Sequence, residues 1–233
     1  MILLVNGDAL HIPLADESVG CILTSPPYNV GLNYKGYEDK LPDDEFREFI
    51  SGSLSECYRV LRDNSRAYFV VGDEMLWWFR EAAEYNGFRF VQMLTWCKPN
   101  LVGGRGRISK DWHSQSEFII LLRKGKRTPM LASTLSNCYN WFVETVDQSN
   151  FKNGRIHPAQ FPLSLCVKIL SRTPGNPILD PFCGSGQVLR AALALDRPAI
   201  GIDLVWPTIK SAHGFVNGRI PKLNTTAQIG MSL

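Results

Sequence analysis

No two of the six cysteines form a C-x-x-C pair, which excludes the usual spacing of a structural zinc site or a redox dithiol. Cys21, Cys57, Cys97, Cys138, Cys166 and Cys183 are scattered, several of them in apolar runs where a free thiol serves as a small core residue. No stretch approaches the roughly 18 consecutive apolar residues of a membrane span. The apolar opening Met1-Ile2-Leu3-Leu4-Val5 lacks a basic lead-in and is interrupted at Asn6-Gly7-Asp8, so it does not read as a targeting signal. Internal repeats and low-complexity tracts are absent too. Together these absences indicate a reduced, cytoplasmic setting. Excess charge is scarce as well. A net charge of +3 permits a polyanionic partner without demanding one, so the placement of charge matters more than its sum. With 45% hydrophobic and 20% charged residues in 233, the chain has the composition of an ordinary folded protein and the length of one domain.

What is present is an alternation of short apolar runs with helical periodicity, the pattern of an α/β sheet covered by helices on both faces. Strands are expected at residues 2–6, 19–24, 66–71, 88–96, 117–123, 178–180 and 199–203, with a further possible one at 139–143. Helices are expected after Pro42-Asp43-Asp44 and at residues 74–86, 162–171, 187–195 and 207–213. The first of these places Phe46, Phe49, Ile50, Leu54, Cys57 and Leu61 on one face, with Asp43 or Asp44 as its cap. Trp77-Trp78 reads as helix packing. Residues 29–41, 101–112 and most of 124–158 fit no regular element, and long loops in a compact domain are usually functional or mobile.

Near the C-terminus a short buried-strand pattern ends at Asp180, and a helix pattern begins at Gln187. Pro181-Phe182-Cys183-Gly184-Ser185-Gly186 lies between them. Strand, Gly-containing turn and helix make a nucleotide cradle, because glycine lets the backbone approach a ligand closely. Asp203 ends the next strand, 23 positions after Asp180, where a carboxylate can accept hydrogen bonds from both ribose hydroxyls. The position three after Gly186 is Leu189, not the small residue of a dinucleotide fingerprint, and no Lys-Ser/Thr follows the turn as a triphosphate loop would require. The turn therefore suits a nucleoside cofactor without phosphate. An ordinary tight turn is the plain alternative, which the spacing of Asp203 disfavours.

A second motif, Thr24-Ser25-Pro26-Pro27-Tyr28, follows the strand at 19–24. Each proline fixes φ and removes a backbone donor, and Ser25 is forced toward extended backbone by the proline after it. The product is a rigid ledge at a strand's C-terminal end, where open α/β sheets place their chemistry. Its carbonyls and the Ser25 hydroxyl offer acceptors for a flat amino group, and Tyr28 offers a stacking face. Methylating an aromatic amine needs such a ledge, because the amine's lone pair is delocalised and must be held in line with the electrophilic methyl. A proline-terminated strand with a surface tyrosine is the alternative.

With both motifs in this order, the chain resembles the amino-methyltransferase family of DNA methyltransferases in its permuted, beta-type arrangement, in which (Ser/Asp/Asn)-Pro-Pro-(Tyr/Phe) precedes the cofactor motif. Asn6-Gly7-Asp8-Ala9-Leu10 resembles the family's opening segment, whose acid receives the cofactor's adenine amine. Glu56-Cys57-Tyr58-Arg59-Val60-Leu61-Arg62 followed by Ala67–Gly72 resembles its E-x-x-R-V-L-K block. Residues 94–100 and 116–125 resemble the next two strands, and Ile156-His157-Pro158-Ala159-Gln160-Phe161-Pro162 the motif that closes over the cofactor's methionine. The resemblance implies a Rossmann-like fold with a mixed, mainly parallel seven-stranded sheet, and S-adenosyl-L-methionine as cofactor. Its residues would be Asp8, Ala9, His157, Pro158, Phe161, Asp180, Phe182, Cys183, Gly184, Ser185, Gly186 and Asp203. Ser25, Pro26, Pro27 and Tyr28 would hold a base flipped out of double-stranded DNA, in methylation of the restriction–modification kind. Ser25 leans toward cytosine N4, adenine N6 or an RNA base being the alternatives. Carbon-5 chemistry would need a nucleophilic cysteine, typically after proline, and no Pro-Cys dipeptide occurs.

The chain departs from the family at Gln187, where Thr is frequent, and in its target-recognition insert, for which only residues 126–150 are available. Recognition would then fall to a short segment, with DNA contacts around residues 101–155 of a single catalytic domain spanning 1–233, or to a second subunit such as a homodimer partner. Arg105, Arg107, Lys110, Lys124, Lys126 and Arg127 form the one marked basic cluster and are the expected phosphate contacts, a solvated basic face being the alternative. No metal constellation is present. A non-catalytic binding subunit of a modification complex is the competing class of function.

Overall fold

The computed structural model describes residues 1–31, 33–34, 37–99, 115–126, 130–131, 139–145 and 162–205. Ten strands occur among them: β1 Ile2–Asn6, β2 Val19–Thr24, β3 Asn33–Tyr34, β4 Tyr37–Glu38, β5 Leu61–Val71, β6 Arg89–Cys97, β7 Ser116–Arg123, β8 Trp141–Val143, β9 Ile178–Asp180 and β10 Ala199–Asp203. The helices are α1 Asp43–Val60, α2 Leu76–Tyr85, α3 Leu163–Leu170 and α4 Gln187–Ala194. The helix expected at 207–213 lies outside the described residues.

Eight strands form one sheet in the order β1-β10-β9-β2-β5-β7-β6-β8, and β3 and β4 make a separate hairpin. β1, β10, β9, β2 and β5 run parallel, β7 is antiparallel to both its neighbours, and β6 pairs in parallel with β8. The expectation of a mixed, mainly parallel sheet is met. The count is one higher than seven because β8, the possible strand at 139–143, adds an outer edge to β6.

Strand β2 is buried along its whole length, as the continuous run Val-Gly-Cys-Ile-Leu-Thr dictates for a central parallel strand. Its residues divide between two cores. Cys21 and Leu23 join Leu165, Ile169, Leu189 and Ala192 under α3 and α4, while Val19 and Ile22 join Phe46, Ile50, Leu54 and Phe79 under α1 and α2. Each fully buried aliphatic side chain contributes roughly 1.5–3 kcal/mol, so these two layers supply most of the fold's driving force. At Gly20 the segment before β9 passes so close that a Cβ would sit 2.5 Å from the backbone nitrogen of Asn176.

Helix α1 buries Phe46, Ile50, Leu54 and Cys57 as the periodicity requires, and Asp43, Asp44 and Glu45 occupy its first turn, favourably for the helix dipole. The cap differs from expectation. Pro42 is the N-cap, no side chain caps the helix, and the Pro42 carbonyl accepts the Phe46 amide instead. The two tryptophans also part company. Trp78 packs edge-on against Phe46 at 5.8 Å, whereas Trp77 is 80% exposed.

Connectivity locates the working end of the sheet. From β9 the chain crosses through α4 to β10 on one side, and from β2 it crosses through α1 to β5 on the other. The sheet reverses its winding direction between β9 and β2, and ligands of open α/β sheets bind outside the carboxyl ends of strands at such a reversal. Both sequence motifs begin at those two strand ends.

Candidate active site

Asp180, the last residue of β9, is only 2% exposed. Its Oδ1 accepts a 2.6 Å hydrogen bond from the hydroxyl of Thr24, the last residue of β2, and another from the Phe182 amide at 3.2 Å. This bridge fastens the start of the Gly-rich turn to the start of the Pro-Pro ledge. Burial pushes the Asp180 carboxyl up to about 7, against the pull of these two donors, and the nearby Asp203 adds to the rise. Thr24 was not singled out as a site residue. Its place immediately before Ser-Pro-Pro was the available signal.

The turn itself depends on glycine. Gly184 has φ +47°, and Gly186 has φ +80° as the left-handed N-cap of α4. The Gly184 amide donates to Asp203 Oδ2 at 3.0 Å, and the Val205 amide to Asp203 Oδ1 at 2.9 Å, so the end of β10 is tied to the turn. Burial raises the Asp203 carboxyl above its usual range, while those two amides oppose the rise. The Gly7 amide donates to the Asp203 carbonyl at 3.1 Å, which sets Asp8 at the adjoining strand end. There Asp8 Oδ1 accepts the Leu10 amide at 2.9 Å, and Ala9 is buried.

The residues of the turn do not all face a ligand. The Cys183 side chain lies in the core below the turn, its amide is taken by the Ile202 carbonyl, and burial pushes its thiol well above the ordinary range. Ser185 is also buried. The Cys183 side chain therefore packs: its Sγ fills the space beside Gly201 that a Cβ there would need. Phe182 is half-buried and lies edge-on to Phe49, with ring centroids 6.0 Å apart.

The block Glu56-x-x-Arg59 explains how Asp8 is held. Arg59 donates to both Glu56 carboxylate oxygens, to Asp16, and to the carbonyls of Ile12 and Leu14. Glu56 accepts the Ile12 amide at 2.8 Å, and the Arg59 hydrogen bond holds its carboxyl below the usual value. One pair spaced i,i+3 on α1 thus clamps the loop that follows Asp8.

On the other side of the reversal point, Pro26 is buried and Ser25, Pro27 and Tyr28 are half-buried. The Ser25 hydroxyl lies 3.1 Å from the Tyr28 oxygen and 3.4 Å from the Val70 carbonyl, and donating to either leaves the serine lone pairs as acceptors. The Tyr28 hydroxyl in turn lies 3.3 Å from Glu117 Oε2 and 3.4 Å from the Val70 carbonyl. Glu117 Oε1 pairs with Lys98 Nζ at 2.6 Å. The exit of the ledge is fixed by Asp39, whose buried carboxylate accepts the amides of Asn29 (3.0 Å) and Val30 (3.2 Å).

The expected DNA contacts fare differently. Lys124 follows β7 at the edge where the parallel strands begin, opposite the site. There its ammonium bonds the Tyr58 carbonyl (3.0 Å) and pairs with Glu17 (3.2 Å). Lys126 lies beside Asn64 at the same end, its amide bonded to that side chain. The grouping of these two with the site is corrected: β7 runs antiparallel, so its far end carries them away. Arg105, Arg107, Lys110, Arg127, His157, Pro158 and Phe161 lie outside the described residues. Among the described residues no cluster of His, Cys, Asp or Glu could hold a metal ion, and no helix is long and apolar enough to cross a membrane.

Asp8, Asp180 and Asp203 thus lie at or just beyond the ends of β1, β9 and β10, gathered around a glycine turn. The DNA methylase family model that covers N6 and N4 methyltransferases matches residues 19–213. The chain belongs to this family of DNA amino-methyltransferases, whose methyl donor is S-adenosyl-L-methionine. Among similar proteins, the type II methyltransferase M.HpaI of Haemophilus parainfluenzae is 29% identical over 82% of this chain and 66% of its own length. The DNA adenine methyltransferase YhdJ of Escherichia coli (strain K12) is 25% identical over 86% and 78%. Among solved structures, M1.HpyAVI in complex with SAM superposes with TM-score 0.73 at 24% identity, covering 93% of this chain and all of that one. The cytosine-N4-specific PvuII DNA methyltransferase gives TM-score 0.75 at 16% identity, covering 98% and 91%. These two likenesses establish the fold.

Proposed function

We propose that this protein methylates an exocyclic amine in double-stranded DNA, with cytosine N4 as the target, the base being flipped out of the duplex onto the Ser25–Tyr28 ledge. The observation that carries the reading is the Thr24–Asp180 bridge, which joins the acceptor ledge to the carboxylate-lined turn across the reversal point. S-adenosyl-L-methionine would supply an electrophilic methyl on a sulfonium, and its cationic, phosphate-free character fits Asp8, Asp180 and Asp203. Asp203 would take the ribose hydroxyls, both its oxygens being oriented by backbone amides. Asp8 would take the adenine amine. His157, Pro158 and Phe161 would close over the methionine end.

On the substrate side, Ser25 accepts one N–H of the amine while its own proton goes to Tyr28 or the Val70 carbonyl. The carbonyls of the proline ledge accept the other N–H. Holding both fixes the nitrogen's direction of attack and favours its pyramidal form, so catalysis rests on positioning and preorganised dipoles. The Tyr28 ring replaces the stacking lost on flipping. Arg105, Arg107 and Lys110 would meet the phosphates, and residues 101–155 would carry target recognition within one catalytic domain. The setting is the reduced cytoplasm, and the modification serves a restriction–modification system.

Adenine N6 is the second reading, favoured by the likeness to a protein named as a DNA adenine methyltransferase. The test is transfer of labelled methyl to DNA by the isolated protein and by Ser25→Ala/Tyr28→Ala. The wild type is expected to label DNA, and the variant to bind cofactor normally and transfer nothing. Normal turnover in that variant would refute the assignment of the ledge, and an inactive wild type would favour a non-catalytic subunit.

A further inference from the structure

Methylation of the amine leaves a problem that the ledge alone does not solve. As the N–C bond forms and the S–C bond breaks, the nitrogen becomes cationic and must lose one proton. Ser25 and Tyr28 can pass a proton on, but neither can keep it. The structure supplies an end point for it.

Glu117 is the second residue of β7, the strand antiparallel to β5, and so lies at the carboxyl end of β5, just beyond the Val71–Phe118 pair. Lys98 follows β6 directly, and its backbone amide is fixed to the Gln115 carbonyl at 2.7 Å. The lysine side chain is buried, lies 5.2 Å from the Trp96 ring centroid, and delivers its ammonium to Glu117 Oε1 at 2.6 Å. The second oxygen, Oε2, is left toward the Tyr28 hydroxyl at 3.3 Å. A half-buried ion pair of this kind contributes little to stability once desolvation is counted. Its geometric effect is definite: the lysine fixes the carboxylate and orients it with one oxygen toward the site.

Resting on the proposed amine methylation, we infer that Ser25, Tyr28 and Glu117 form a proton relay, with Glu117 the positioning residue that receives the proton and Lys98 its anchor. The chain is connected, Ser25 Oγ lying 3.1 Å from Tyr28 Oη and Tyr28 Oη 3.3 Å from Glu117 Oε2, with the Val70 carbonyl at 3.4 Å from both hydroxyls as the alternative acceptor. The amine nitrogen gives its proton to Ser25 Oγ, Ser25 gives its own to Tyr28 Oη, and Tyr28 gives its own to Glu117. The two hydroxyls end as they began, the product is a neutral N-methyl amine, and the carboxylate ends as a carboxylic acid. An aromatic amine carrying a fourth substituent is a much stronger acid than a carboxylic acid, so the transfer runs downhill even to a carboxylate paired with lysine. Glu117 remains 22% exposed, which lets it return the proton to solvent.

The test is single-turnover transfer of labelled methyl to unmethylated genomic DNA by wild type, Tyr28→Phe, Glu117→Gln and the double variant. Glutamine keeps the shape and one acceptor oxygen, enough for Lys98 or Tyr28 but not both, and cannot take the proton, while phenylalanine keeps the ring but cuts the relay. Each single change is expected to lower the transfer rate about a hundredfold, the scale of one proton-transfer contribution. Affinities for cofactor and DNA should stay within twofold, and the double variant should be no slower than the singles. A Glu117→Gln rate within threefold of wild type, or losses that multiply in the double variant, would overturn the relay while leaving amine methylation standing. Should Glu117→Gln fail to fold, Tyr28→Phe decides alone: an unchanged rate overturns the relay, and a hundredfold loss at unchanged affinities supports it. A wild type that labels no DNA overturns the proposed function and the relay with it.

Discussion

Replacing Asp180 with asparagine is expected to make the protein more stable and less able to bind its cofactor, and the two effects have one cause. Asp180 is buried at the end of β9, where desolvation lifts its carboxyl from 3.8 to about 7. The folded state therefore holds the proton more tightly than the unfolded chain, and stability is lost as pH rises from about 4 to about 7. Roughly 1.4 kcal/mol per tenfold difference in proton affinity gives an upper bound of about 4 kcal/mol. Asparagine retains an oxygen to accept from Thr24 and from the Phe182 amide, and has no charge to desolvate. The stability difference between Asp180→Asn and wild type, from urea unfolding at several pH values, is expected to grow in the variant's favour between pH 4 and pH 7 and then level off. Over this pH range, where the buried thiols stay protonated, taking the difference cancels the other titrations except the coupling to Asp203. Calorimetry at pH 8 should show weaker S-adenosyl-L-methionine binding to the variant, because the negative charge at the base of the turn has been removed. A stability difference that does not change with pH would refute the reasoning.

Other substitutions separate the parts of the site. Arg59→Ala removes the donor that holds Glu56, Asp16 and the carbonyls of Ile12 and Leu14 together. It should cost roughly 2 kcal/mol in thermal or urea unfolding, the scale of a few charge-assisted hydrogen bonds, and weaken cofactor binding through Asp8. Arg105→Glu with Arg107→Glu should weaken DNA binding and flatten its dependence on salt, whereas Lys126→Glu, at the opposite end of the sheet, should leave both unchanged in a fluorescence titration. Gly186→Ala places a side chain at φ +80° and should destabilise the turn by about 1 kcal/mol or more, with a larger loss in cofactor affinity.

Much of this was legible from the residues because burial and conformational freedom leave marks in sequence. The unbroken apolar run of β2 announced a strand buried on both faces, the periodicity from Phe46 to Cys57 announced α1, and Pro-Pro and Gly-Ser-Gly marked the two strand ends. Strand pairing leaves no such mark. That Thr24 and Asp180, 156 positions apart, share a hydrogen bond follows only from β9 lying beside β2. For the same reason Lys124 was grouped with a basic loop by proximity in the chain, although an antiparallel β7 carries it to the far end. Cys183 sat in the right motif, but only the close packing of β10 under the turn shows that its side chain faces the core. Nothing in the sequence pairs Lys98 with Glu117, since they lie 19 residues apart, one just after β6 and the other on β7, and belong to no motif in themselves.

The central claim, that the Ser25–Tyr28 ledge presents a base amine to a methyl donor, meets its most direct test in mass analysis of nucleosides from DNA incubated with the protein and isotopically labelled S-adenosyl-L-methionine. The account predicts labelled N4-methylcytosine. Labelled N6-methyladenine would overturn the choice of base while preserving amine chemistry at the ledge, and label found only at carbon 5 of cytosine, or in no nucleoside, would contradict the account.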